Sequence, residues 1–256
     1  MKAFVAFFKK ECLETLRTGK LWILAALFVV FGIMNPAITK LTPWMMELFA
    51  EDLAESGMTI TAIEVDALSS WMQFFKNIPM ALLAFVFIYA GAFTKEYQRK
   101  TLILILTKGL PRYKVVLAKS ALMLSLWTFG FWICYGITYA CNAYFWDNSI
   151  AQSLFVSVLY WWLFGVLVIS VMILFSVIMR NYGGVLLGAG GSVLACYLLS
   201  LIPKLTDHIP TSLMNGMMIA MGTKEAKDFL VAAIIAFVAS VACIVSSVLI
   251  FNKKEL

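Results

Sequence analysis

Residues 153–202 read SLFVSVLYWWLFGVLVISVMILFSVIMRNYGGVLLGAGGSVLACYLLSLI. Two uncharged runs, 153–179 and 182–202, are parted only by Arg180 and Asn181. A helix rising about 1.5 Å per residue needs about 20 apolar residues to cross a hydrocarbon core of about 30 Å. Each run meets that length, and the Arg-Asn pair marks where the chain returns to water. The whole chain agrees: of 256 residues, 62% are hydrophobic and 13% charged, against about 45–50% and about 25% in soluble domains.

Working outward, four further runs qualify: 21–39, 77–93, 115–140 and 229–251. Pro36 stands near the outer end of the first, and the second is the shortest. The expected fold is an all-α membrane protein of six transmembrane helices, forming one domain over 1–256. Segment 1–20 carries acids and bases throughout and no small-residue cleavage site follows the first run, so that run is expected to remain as a span.

Basic residues orient the bundle. Six spans put both ends on the side of the 94–114 and 180–181 connections. Of the 20 lysines and arginines, Lys40, Lys76, Lys204, Lys224 and Lys227 fall on the opposite side and the other fifteen on the side of the ends. Both termini are therefore expected in the cytoplasm, in a multi-pass protein of a bacterial cell membrane. The net +6 is read as charge facing anionic lipid headgroups, not nucleic acid.

The connections carry the functional signal. Segment 1–20 is amphipathic: Phe4, Val5, Phe8, Cys12 and Leu16 recur at three- and four-residue steps, with Lys9, Lys10, Glu14 and Arg17 on other faces. That pattern predicts an interfacial helix with its phenylalanines at the headgroup boundary and Arg17 at its polar edge. The loop from Lys40 to Lys76 is acidic and reads as a solvated outer face. Segment 94–114 runs from charged Lys95, Glu96, Arg99 and Lys100 into an apolar stretch to Leu106, then Gly109, Pro111 and basic Arg112. That apolar helix is too short to span, so its surface calls for a partner. A semi-apolar stretch, 213–221, lies between Pro210 and Gly222 and predicts a short outer re-entrant hairpin.

This order of parts resembles the permease subunit of a type-2 ABC exporter, over essentially the whole chain. At residue level the resemblance rests on Glu96, Thr101, Leu102, Ile105, Leu106, Pro111, Arg112 and Lys119. Lys100 and Ile103 depart from the glycine and glutamate usual in that family. The resemblance implies a coupling helix at 94–114, where Glu96, Arg99, Thr101, Leu102, Ile105 and Leu106 dock a separate ABC ATPase and Glu96 pairs with Arg99. It implies one half of a dimer, a homodimer with spans one and five at its axis. Gly184 and Gly188 form a GxxxG pair suited to such close helix packing. The implied cargo is an amphipathic peptide or hydrophobic antibiotic, as in small peptide and antibiotic export permeases; sodium and polysaccharide export also occur among resembling proteins.

Other chemistry is missing from the sequence. It has no GxxxxGK[ST] loop, so no ATPase site is expected in this chain, and ATP and magnesium would sit on the partner. Neither a GxSxG elbow nor an HExxH helix is present. His208 is the single histidine, and Cys12, Cys134, Cys141, Cys196 and Cys243 lack metal-site spacing. No catalytic, cofactor or metal site is expected. The spans read as free of buried acids and bases, which argues against ion-coupled transport. A non-transporting receptor or immunity subunit and an ATP-independent carrier remain as rival readings. The many aromatics of spans three and four, Trp127, Phe131, Trp132 and Trp161 among them, read either as the lining of an apolar path or as lipid-facing groups.

Overall fold

The computed structural model describes residues 2–48, 64–98, 107, 109–202, 206 and 208–254. It is helical throughout: α1 (Lys2–Arg17), α2 (Lys20–Leu48), α3 (Ala67–Tyr89), α4 (Thr94–Gln98), α5 (Arg112–Phe145), α6 (Leu154–Ile178), α7 (Tyr182–Ser200), α8 (Gly216–Ala220) and α9 (Leu230–Lys253). Among the described residues, six helices are long and apolar enough to cross a membrane. They are α2, α3, α5, α6, α7 and α9, and they make this a multi-pass membrane protein.

Two spans outrun their uncharged stretches. The first helix continues through Pro36 and Pro43 to Leu48, and the second begins at Ala67, where the Asp66 carboxylate accepts from the Ser69 backbone N–H at 2.8 Å and caps it. Lys40 and Lys76 thus sit on helices, and the loop expected between them is shorter than the charges suggested. A charge at a span end snorkels to water without ending the helix.

Proline inside α2 costs it a hydrogen bond, since Pro36 has no N–H to offer the Gly32 carbonyl. The structure restores that bond from elsewhere. Thr138 Oγ1 of α5 donates to the Gly32 carbonyl at 3.0 Å, Asn35 Nδ2 donates to Thr138 Oγ1 at 3.1 Å, and Asn77 Nδ2 of α3 donates to Asn35 Oδ1 at 2.9 Å. A polar thread therefore ties three spans at one level. Close approach is possible there because Gly32 lacks a Cβ, which would meet Ile137 Cβ at 2.9 Å.

The core is aromatic. Trp71, Trp127 and Trp161 are fully buried, and each indole N–H has a partner, as buried tryptophan requires: Asn148 Oδ1, the Trp162 carbonyl and the Met214 carbonyl. Trp127 packs among Phe28, Phe85 and Phe131 at centroid distances of 5.9, 6.0 and 5.4 Å. Gly165 faces its ring so closely that a Cβ would stand 2.2 Å away. These tryptophans thus fill the bundle, whereas Phe129 is 69% exposed on its outside. The expected hairpin is two short turns, Pro210–Asn215 and Gly216–Ala220. It packs on the start of α6, where Gly216 meets the Ser157 carbonyl.

The thread yields a prediction. Thr138→Val should lower stability in detergent by about 1–2 kcal/mol by orphaning the Gly32 carbonyl and Asn35. In a Pro36→Ala background, where the helix supplies its own N–H, the same change should cost measurably less. Equal costs in the two backgrounds, read from thermal unfolding, would contradict this account of Pro36.

Candidate functional site

The face of the bundle that carries the N- and C-termini gathers most of the internal ion pairs. Lys119, about two turns inside α5 in a run of apolar neighbours, is 3% exposed. Its Nζ lies 2.7 Å from Glu11 Oε2 of α1 and 3.2 Å from Glu96 Oε1 of α4. Phe7 and Phe93 present their rings to it at 6.0 and 5.5 Å. Lys10 closes the circuit, with Nζ 2.8 Å from Glu11 Oε1, 2.8 Å from Glu14 Oε2 and 3.4 Å from Glu96 Oε1. Glu11 thereby bridges two ammonium groups, one with each oxygen, and Glu96 Oε1 meets both.

The spans are thus not free of buried charge, contrary to the expectation from sequence. A lone lysine at that depth would cost several kcal/mol, and two carboxylates from other helices offset it. Glu11, Glu14 and Glu96 bring carboxylate oxygens within 4.8 Å of one another. The Lys10 and Lys119 ammonium groups stand where a metal ion would, so the cluster is an ion-pair network by composition. Burial pulls the Lys10 pKa down, but hydrogen bonds to Glu11 and Glu14 and the charges of Glu11 and Glu96 outweigh it and hold the pKa above its ordinary value. The hydrogen bond from Lys10 is the main reason that the Glu14 pKa is lowered.

The other side of α4 is also anchored. Tyr97 O–H donates to the Val177 carbonyl at 3.3 Å, and Lys254 Nζ sits 4.4 Å over the Tyr97 ring. Lys254 also donates to the Val177 and Ile178 carbonyls, at the end of α6 where the helix leaves its last acceptors unpaired. Arg112 does the same at the end of α9, donating to the Asn252 and Lys254 carbonyls. Just before α4, Phe93 packs edge-on to Phe251 at 6.1 Å. A five-residue helix is thus fastened to α1 and α5 through Glu96 and to α6 and α9 through Tyr97.

The chain is thus laid out as a helix along the terminal face, six spans, and a short anchored helix between the second and third. A sequence model of the ABC-2 family transporter proteins matches residues 5–231. The chain belongs to that family. It is a membrane permease component of an ABC transporter, a kind of subunit that transports and is typically not itself catalytic. Neither the curated proteins nor the solved structures include a match to it.

Of the expected site residues in this permease, Glu96 is placed at the hub, but its described partners are Lys119 and Lys10. Arg99, Thr101, Leu102, Ile105 and Leu106 lie outside the described residues. Phe7, Glu11 and Thr15 are buried, Phe4 and Phe8 pack partly against the core, and Val5, Leu16 and Arg17 are exposed. The ion pair of Glu11 with Lys119 lies on the inward face of α1. Gly184 and Gly188 are half-buried and each closely approaches a side chain of its own chain. A Cβ on Gly184 would stand 2.4 Å from Asn181 Oδ1, and one on Gly188 would stand 2.3 Å from the Phe175 ring. Lys119, Glu11 and Tyr97 were missed as site residues. One signal was available, a lysine about one turn inside the apolar run 115–140 with no acid beside it in sequence.

Two outcomes follow for this cluster. Lys119→Met should destabilise the permease by about 3–5 kcal/mol, because Glu11 and Glu96 are left buried without their cation. Adding Glu11→Gln and Glu96→Gln to it should recover most of that loss; a triple variant no more stable than the single one refutes the hub. Glu14 has a folded pKa below its unfolded value of 4.5. The stability it adds is therefore full above that pH and lost as pH falls through the folded pKa. Unfolding midpoints of wild type and Glu14→Gln should converge in that acid range and separate above it.

Proposed function

We propose that this permease is half of an ATP-driven exporter, working as a homodimer with two separate ATPase subunits that hold ATP and magnesium. The observation that carries the reading is the anchoring of α4. A short helix at the mouth of a partner-facing loop, tied through Glu96 and Tyr97 to four other helices, has no use in a passive connector. It suits a lever, since a displacement of the following segment, 99–106, would reach α1, α5, α6 and α9 together. Packed interfaces of this kind move as rigid bodies.

On this reading the terminal face is cytoplasmic in a bacterial cell membrane, consistent with its share of the basic residues. The ATPase docks on Leu102, Ile105 and Leu106 beside Arg99 and Thr101, and α1 lies along the inner headgroups with Arg17 toward water. A second copy of the permease meets the lipid-facing sides of α2 and α7, which include Trp22, Val30, Leu187 and Leu198. ATP-driven closure of the two ATPases rocks the permease halves between inward- and outward-facing forms. The cargo is amphipathic or hydrophobic, a peptide or an antibiotic, in keeping with spans rich in aromatic residues.

Affinity purification of the tagged chain from its host should bring down an ABC ATPase in near-equal amount. Leu102→Asp or Leu106→Asp should abolish that recovery while leaving the permease folded, since neither residue lies in the spans. A chain recovered alone and dimeric, or an ATPase retained by both variants, would overturn the docking site and shift the weight to an ATP-independent carrier.

A further inference from the structure

A cavity of about 480 Å³ lies between α3, α6, α7 and the 210–215 turn, within the 300–1,000 Å³ usual for small-molecule sites. It is elongated along the bundle. On α3 its wall runs from Pro79 to Phe87 and on α7 from Leu186 to Tyr197, which at 1.5 Å per residue spans about 12–16 Å. At the end nearer the termini, Tyr182 O–H donates to the Phe87 carbonyl at 2.7 Å and ties α7 to α3. The 210–215 turn forms the other end.

The lining sorts sharply by polarity. It contains no Asp, Glu, Lys, Arg or His. The Trp161 indole N–H, which borders it, is already donated to the Met214 carbonyl at 3.1 Å. Two hydroxyls remain, both at the end away from the termini: the Tyr197 phenol near the close of α7, and Thr211. Thr211 is 5% exposed and its Oγ1 has no hydrogen-bond partner. A buried hydroxyl left unpaired costs about 1–3 kcal/mol, and the residue that carries it lines the cavity. Gly190 leaves the wall open, with nothing within 4 Å of where a Cβ would stand.

We infer that this cavity binds a neutral, elongated amphiphile, its apolar body along Leu82, Val86, Phe164 and Gly190 and its hydrogen-bonding head at Thr211. A charged head is disfavoured because the walls hold no counter-charge and the dielectric there is low. A wholly apolar chain leaves Thr211 unpaired. As a binding site the cavity stands on its own geometry; as a station for exported cargo it rests on the permease reading.

The test uses the full chain in nanodiscs without any ATPase, so that failure of ATPase docking and failure of this site are separate results. Three probes are titrated, 1-monolaurin, laurate at pH 8 and dodecane, with the thermal unfolding midpoint as readout. Monolaurin should raise the midpoint saturably, and laurate should bind at least about tenfold more weakly for want of a counter-charge. Thr211→Val should weaken monolaurin about two- to tenfold, the worth of one hydrogen bond. Gly190→Leu should abolish the shift by filling the wall. Leu83→Trp, on the opposite wall, should do the same and serves if Gly190→Leu unfolds. An undiminished monolaurin shift in both filled variants overturns the site. Dodecane binding as well as monolaurin, with Thr211→Val indistinguishable from wild type, shows an ordinary lipid tail in the groove and overturns the amphiphile.

Discussion

The ammonium of Lys119, held 2.7 Å from Glu11 and 3.2 Å from Glu96, organises the end of the molecule that carries its termini. Lipid offers a buried cation no solvation, so the carboxylates must come from the protein, and they come from two different segments. That requirement decides which face α1 turns inward, where α4 starts, and how α5 enters the bundle. Lys10 and Glu14 extend the network to the surface, where water takes over the solvation. Breaking the network in place costs more than never having had it, because each remaining charge stays buried. A joint of that kind moves as a unit, and it sits where force on the 99–106 segment would arrive.

The interior shows the same logic applied to hydrogen bonds. Pro36 removes a donor from α2, and the bundle answers with Thr138, Asn35 and Asn77 from three helices. Where ordinary membrane helices associate without a hydrophobic drive, this thread and the ring-against-glycine contacts at Gly130 and Gly165 select one packing among many. Trp127 illustrates the point: its ring needs both a glycine to lie on and the Trp162 carbonyl to bond. Against this tight region, α7 is only lightly buried, with Val185 and Ala189 its buried residues. The loosely held span is also one that walls the apolar cavity, so the least constrained of the six spans lies beside that space.

Much of this architecture can be read from residue order alone. Six apolar runs of span length force six helices, because in hydrocarbon a backbone must satisfy its own hydrogen bonds within the segment. Connection content was legible too: the short apolar stretch after Glu96 and the turn residues Pro210 and Gly222 appear without any coordinates. Helix ends were less legible, since the charges of Lys40 and Lys76 marked the border of the uncharged stretch and not the end of the helix.

Partnership was invisible in the sequence and belongs to the tertiary structure. Lys119 and Glu11 stand 108 residues apart, and no local pattern links them. Periodicity groups Phe4, Val5, Phe8 and Leu16 on the apolar side of α1, but it has no term for a distant counter-ion and so does not show that Glu11 is buried. Gly184 and Gly188 matched a packing motif, yet whether the helix they admit belongs to another copy or to the same chain depends on where Phe175 falls. The sequence by itself determined which segments enter the membrane, since that depends on each segment's own transfer free energy. Only the tertiary structure decided which charges and small residues meet, since that depends on the three-dimensional neighbours that pay the desolvation cost.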